Sequence, residues 1–146
     1  MTTNNSYTPV EGECIGLDVG DERIGVARVN TQARIAEPLS IIQNNDPEVF
    51  QDVLTLVDSL EATAIVVGLP RGLDGQETEQ TQKTRAFTEK LKSTLQIPVY
   101  MIDEAGSTKD ALVKQKSYPN ASLDSLAAMI IVEDFIQSAN KSELQA

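Results

Sequence analysis

Three acidic positions in this chain stand where a fold can use them for chemistry. Asp18 lies in Gly16-Leu17-Asp18-Val19-Gly20, an apolar run closed by glycine. An acid between Leu17 and Val19 on a buried strand is costly unless a metal or cation compensates it. Gly20 removes a side chain beside it, so backbone or a ligand can approach closely. The competing use of Asp18 is to cap a hairpin turn. Tyr100-Met101-Ile102-Asp103-Glu104 is a second apolar run, ending in two acids. Successive strand residues point to opposite faces, so only one of those acids can share a face with Asp18. The other is placed to cap the next turn. Asp124 stands in Leu123-Asp124-Ser125-Leu126-Ala127-Ala128, where an acid also suits the positive end of a helix dipole. Two strand-end carboxylates and one helix-start carboxylate make a hard oxygen donor set that suits Mg²⁺ or Mn²⁺. Such ions activate water and stabilise the leaving oxygen in phosphodiester hydrolysis.

Composition narrows the chemistry further. Histidine is absent, which removes Ser–His–Asp triads, Cys–His dyads and His-ligated zinc. The single cysteine, Cys14, rules out an intrachain disulfide and opens an apolar run, so it reads as a buried thiol. Lys plus Arg total 12 against 22 Asp plus Glu, a net charge of -10. That balance opposes nucleic-acid binding overall, although a metal site itself concentrates carboxylates. The first dozen residues are polar and have no signal-peptide stretch, and no segment approaches membrane-spanning length. A cytoplasmic protein with no membrane partner is expected.

The acids need a scaffold, and 146 residues allow one ordinary domain. Cys14–Val19, Ile24–Val29 and Arg34–Ile42 read as three strands of an antiparallel meander, with Pro38 at an edge or bend. Asp46-Pro47 reads as a helix start, Asp as N-cap and Pro in the first turn. Val49, Val53, Leu56, Val57 and Leu60 then follow at helical spacing. The short apolar run at 64–68 reads as a strand buried on both faces. A polar helix from about Gln76 to Leu95 follows, with Phe87, Leu91 and Leu95 as its inner stripe. The run 97–102 is another buried strand. A short helix over 107–114 and an amphipathic one over 123–137 complete the chain. This order predicts an α/β fold, a mixed five-stranded sheet with helices on both faces. Residues 1–12 read as a tail, 13–138 as the domain, and 139–146 as a frayed end.

Taken together, these motifs resemble the YqgF/RuvX family of ribonuclease-H-like nucleases. The matching segments are Gly16 to Gly20 with Arg23-Ile24-Gly25-Val26-Ala27, then Ile65-Val66-Val67-Gly68-Leu69-Pro70 with Asp74-Gly75. The Asp103-Glu104 strand end and the run 123–128 complete the set in order. The resemblance implies a ribonuclease-H-like sheet and places Asp18, Glu104 and Asp124 at the family's three metal-binding, catalytic positions. It also implies either Holliday-junction-resolvase-like activity or processing of the pre-16S rRNA 5′ end. RNA precursor or branched DNA, ribosome association and a homodimer are the partners it implies. One departure stands out. The family continues Asp-Glu-Arg-Leu-Thr-Thr, whereas this chain has Asp103-Glu104-Ala105-Gly106-Ser107-Thr108, so the arginine is replaced. The 109–122 segment is also shorter and less basic than in relatives.

Phosphate contacts must then come from elsewhere. Arg23, Arg71, Lys109, Lys114 and Lys116 are the candidates. Arg23 can equally solvate a hairpin, and the loop 70–75 around Arg71 can be a plain turn. Lys83, Arg85, Lys90 and Lys92 alternate with acids and read as a solvated helix face. Two other functions compete with a nuclease. One is a catalytically weakened domain acting as a binding or ribosome-assembly module. The other treats residues 18–20 as the phosphate loop of an actin- or sugar-kinase-like ATPase. Such ATPases need two domains, and no Walker-type loop is present.

Overall fold

The computed structural model describes residues 11–104 and 108–140. Three strands open it: β1 (Glu13–Val19), β2 (Arg23–Asn30) and β3 (Ile35–Gln43). Short turns join them, so each runs antiparallel to its predecessor. At the first turn the Gly20 N–H donates to the Arg23 carbonyl at 2.9 Å, and a Cβ on Gly20 would lie 2.8 Å from that oxygen. The glycine therefore closes the hairpin. Along β2 and β3, Val26 faces Ser40 while Ala27 faces Pro38, which leaves Leu39 as a bulge. Pro38 is tolerated there because β3 is an edge strand.

Helix α1 (Glu48–Leu60), strand β4 (Ala62–Pro70), helix α2 (Glu79–Thr94) and strand β5 (Val99–Glu104) follow, then helices α3 (Thr108–Gln115) and α4 (Leu123–Asn140). β4 runs parallel to β1, and β5 parallel to β4, giving the order β3-β2-β1-β4-β5. This is the meander plus two parallel strands expected from sequence. Strand alternation then builds two cores. Ile15, Leu17 and Val67 pack against Val53 of α1 and Phe87 and Leu91 of α2. Cys14, Ala64 and Val66 look the other way, onto Leu126, Ile131, Val132 and Phe135 of α4. Among the described residues no helix is long and apolar enough to cross a membrane.

Several local expectations are corrected. Pro47, not Asp46, is the α1 N-cap residue; it has no side-chain cap bond, and Asp46 instead pairs with Lys90 of α2 at 3.2 Å. Helix α2 starts later than Gln76, at Glu79, because Thr78 and Thr81 form a reciprocal capping box there. Helix α4 is not a one-sided amphipathic helix. Ala128, Met129 and Val132 are buried along with Leu126, Ile131 and Phe135, a wide arc of the helix, and Ala111 of α3 joins the same core. Leu123, at the start of the run expected to be amphipathic, is 40% exposed. The helix runs on through Asn140, while residues 1–10 and 141–146 of the expected tails lie outside the described residues.

Helix α4 reaches the sheet because three strand positions on that face lack side chains. A Cβ on Gly16 would stand 2.3 Å from Val132 Cγ1, and one on Gly68 would stand 2.4 Å from Ile131 Cδ1. At Gly25 the obstacle is backbone: a Cβ there would lie 1.8 Å from the Asp124 carbonyl oxygen. A flexible side chain can yield, but the first turn of a helix cannot without moving. Gly25→Ala is therefore expected to lower stability by about 3 kcal/mol, read as a lower urea midpoint at unchanged slope. Gly75→Ala tests the contrast. Its Cβ would meet nothing within 4 Å, but its φ of +75° strains any side chain, so about 1 kcal/mol is expected. Equal losses at the two sites would contradict the packing account.

Candidate metal centre

Asp18 faces Gly25 across the β1–β2 ladder, and the backbone of Asp124 sits on Gly25. Two acids from opposite ends of the domain thus meet at the carboxyl end of β1. Ser122 sets the start of α4: the Ser125 N–H donates to Ser122 Oγ at 3.1 Å, and the Leu126 N–H donates to the Ser122 carbonyl at 3.1 Å. That cap holds Asp124 in the first turn, beside the sheet.

The electrostatics record the proximity. Burial, and secondarily the negative charge of Asp124, push the Asp18 carboxyl up to about 6. Asp124 has a protein partner of its own, since Arg23 Nε donates to its Oδ2 at 3.0 Å. That hydrogen bond, aided by the carboxylate charge, pushes the already high guanidinium value of Arg23 higher still. Sequence reading missed this pairing, though a signal was present. Arg23 lies two residues before Gly25 on β2, so strand parity puts both on the face of Asp18 and α4.

Glu104 closes β5, opposite Pro70 of β4. Its Cβ lies 3.4 Å from where a Cβ on Gly68 would stand, beside Ile131 of α4. Glu104 therefore shares the Asp18 face, and Asp103 takes the other. β4 intervenes between β5 and β1, so the two strand ends stand roughly 10 Å apart. Among the described residues no three acids group closely enough to hold a metal ion. The structure brings Asp18 and Asp124 together and sets Glu104 across the same edge.

Asp103 has a separate task. Arg71 donates to its Oδ1 from Nε and Nη2, both at 3.2 Å, and from Nη1 to Glu77 at 3.2 Å. Glu77 also accepts from Arg85 and Gln82, which pins the loop after β4 to α2. Lys83 reaches Asp21 in the first hairpin at 3.3 Å. Arg85 and Lys83, expected as a solvated face, thus border the strand ends together with Arg23 and Arg71. Lys114 pairs with Glu133 of α4 at 3.0 Å, Lys116 is exposed in the turn after α3, and the side chain of Lys109 lies outside the described residues. So do Ala105 to Ser107. Cys14 is fully buried, and burial, with Glu13's charge second, pushes its thiol up to about 11, which makes it a packing residue rather than a nucleophile.

Comparison with known proteins identifies the relatives of this chain. The family model described as "RuvX: Holliday junction resolvase" matches residues 12–138. A protein of Hydrogenovibrio crunogenus named "Putative pre-16S rRNA nuclease" is 38% identical over 132 residues, covering 89% of this chain and 97% of the relative. A Rickettsia bellii protein of the same name is 34% identical over 134 residues, covering 87% of each. Among solved structures, Thermus thermophilus RuvC superposes with a TM-score of 0.59 at 14% identity, covering 91% of this chain and 98% of that one. Fowlpox virus resolvase in complex with Holliday junction DNA gives 0.55 at 11% identity, covering 87% and 98%. Such low identity shows the fold alone, the ribonuclease-H-like fold of the resolvases.

The buried acid has a measurable cost. Asp18 titrates at about 6 in the fold against an ordinary 3.8, so its ionisation destabilises the fold as pH rises between those values. Above about pH 6 the penalty is complete, and below about pH 4 it vanishes. Asp18→Asn is therefore expected to stabilise the chelator-treated protein at pH 8, by on the order of 2 kcal/mol. Thermal melts across pH check this, with the two proteins converging near pH 4. A parent more stable than the variant at pH 8 would contradict it.

Proposed function

This chain belongs to the RuvX family described as Holliday junction resolvase, and from that membership we propose that it is a metal-dependent nuclease hydrolysing phosphodiester bonds in structured nucleic acid. The observation that supports this most is the meeting of Asp18 and Asp124 at the carboxyl end of β1. Sheets of this kind gather ligands outside their strand ends. Two carboxylates pressed together where one is largely buried suit a divalent cation, which would relieve both the burial and the repulsion. Mg²⁺ or Mn²⁺ is the ion proposed, with Asp18 and Asp124 as its holders and Glu104 the third acid of the set. When bound, such an ion supplies activation of water and neutralisation of charge at the leaving oxygen.

The chain's own residues do the positioning. Ser122 and Gly25 hold Asp124 beside Asp18, and the Asp103–Arg71–Glu77 network fixes the loop that follows β4. Arg23, Arg71, Lys83 and Arg85 stand at this edge, each paired with an acid, and they are the phosphate contacts we favour once those pairs are exchanged. Lys116, exposed in the turn after α3, is a further candidate contact on the far side, with Lys114 there held by Glu133. The names of the sequence relatives favour a pre-16S rRNA precursor, and with it ribosome association. The family description favours a branched DNA, for which a homodimer would cut two strands.

A second reading has its own support. The lack of a three-acid group among the described residues, with Ala105 where relatives have arginine, favours a domain that binds nucleic acid or the assembling ribosome without cutting. One experiment separates the two. Labelled four-way junctions and a precursor-rRNA hairpin are incubated with protein in EDTA, Mg²⁺ or Mn²⁺. Cleavage is expected only with metal, and Asp18→Asn or Asp124→Asn should each lower it by at least about a hundredfold. Cleavage that survives EDTA or both substitutions would sink the nuclease reading as framed. Tight binding with no cleavage in any metal would establish the second.

A further inference from the structure

The cations around the strand ends differ in what holds them. Arg71 uses three donors on Asp103 and Glu77. Arg85 is held by Glu77 and Lys83 by Asp21, none of which belongs to the proposed metal centre. Arg23 alone among these four is paired with a candidate ligand, and by one bond, Nε to Asp124 Oδ2 at 3.0 Å. Its terminal nitrogens have no hydrogen-bond partner among the described residues, and its side chain is 52% exposed. A guanidinium anchored by one edge presents its remaining fork to solvent, in the geometry that matches a phosphate.

We propose that Arg23 is an exchangeable counter-ion: it neutralises Asp124 in the metal-free protein, and moves onto a substrate phosphate once a divalent cation takes the acid pair. The inference rests on reading Asp18 and Asp124 as metal ligands. A half-exposed ion pair is weak enough to exchange. A divalent cation on Asp124 would stand within a few ångströms of the guanidinium, and their repulsion drives Arg23 off. The side chain cannot travel far, because its backbone is locked in the first hairpin through the Gly20 bond. Counting Asp18, Glu104, Asp124 and Arg23, the cluster changes from two net negative charges to neutral when the ion binds. Repulsion of the phosphate backbone is thereby removed, and the released guanidinium supplies the attraction. Arg23 is thus a positioning residue that makes phosphate binding follow metal binding.

Two measurements on the full chain test this. Calorimetry with Mn²⁺ alone should find Arg23→Gln binding the ion about fivefold tighter than the parent, with Arg23→Lys between them. Anisotropy with a fluorescent four-way junction, at 4 °C where gels verify intact DNA, gives the salt dependence of binding with Mn²⁺ or EDTA. With Mn²⁺ the Arg23→Gln slope should fall by about one phosphate contact relative to the parent, and in EDTA the two slopes should coincide. A slope loss equal in both conditions would make Arg23 a permanent phosphate contact and overturn the exchange. No slope loss in either would leave it a hairpin residue and overturn it too. Unchanged Mn²⁺ affinity removes the exchange while leaving the metal centre intact, whereas no Mn²⁺ binding by parent or variant removes the metal centre itself.

Discussion

Where the first turn of α4 crosses β2, the Asp124 carbonyl oxygen fills the space that a Cβ at residue 25 would occupy. Backbone against backbone is the closest approach a helix and a sheet can make. It is possible here because Gly16, Gly25 and Gly68 lie on one face of three adjacent strands, β2, β1 and β4. Hydrophobic burial supplies the force, through Leu126, Ile131, Val132 and Phe135. The glycines decide how near that force can bring the helix. Asp124 meets Asp18 because of this contact, so the chemistry at the strand ends depends on a packing constraint.

That constraint creates an electrostatic problem which the fold resolves only in part. Burial already disfavours an ionised Asp18, and Asp124 adds its repulsion. Arg23 answers one of the two acids, and among the described residues no cation pairs with the more buried one. A chain selected for stability alone has little reason to hold two carboxylates so, and strained groups of this kind gather at functional sites. The surrounding cations extend the pattern. Arg71, Arg85 and Lys83 fasten the loop after β4 and the first hairpin to α2, and they set positive groups around an acidic centre.

Much of this was legible in the chain. Period-2 and period-3.6 patterns located the strands and helices among the described residues, because most of them bury an apolar face or run; the edge strand β3, buried only at Ala36, was marked by its position after the first two strands. Parity alone assigned one of Asp103 and Glu104 to the Asp18 face, and the structure makes it Glu104. What stayed hidden depends on tertiary contacts. The Thr78–Thr81 box moved the start of α2, and Ala111 of α3 joined the core that α4 makes with the sheet. The Arg23–Asp124 bond links residues from opposite ends of the domain, and only the docking of α4 on Gly25 makes them neighbours. Pairing of Lys114 with Glu133 likewise follows from the packing of α3 on α4. The roughly 10 Å between the ends of β1 and β5 follows from strand order, which no local pattern encodes.

The claim that the α4–Gly25 contact assembles one divalent-ion centre is tested most directly by paramagnetic broadening of backbone amide signals on addition of substoichiometric Mn²⁺. Broadening should centre jointly on Asp18, Gly25 and Asp124, reach Glu104 more weakly, and spare the acidic stretch at Asp58 and Glu61 on the opposite edge. Broadening centred on exposed acids away from β1, with the signals of Asp18 and Asp124 unaffected, would contradict it.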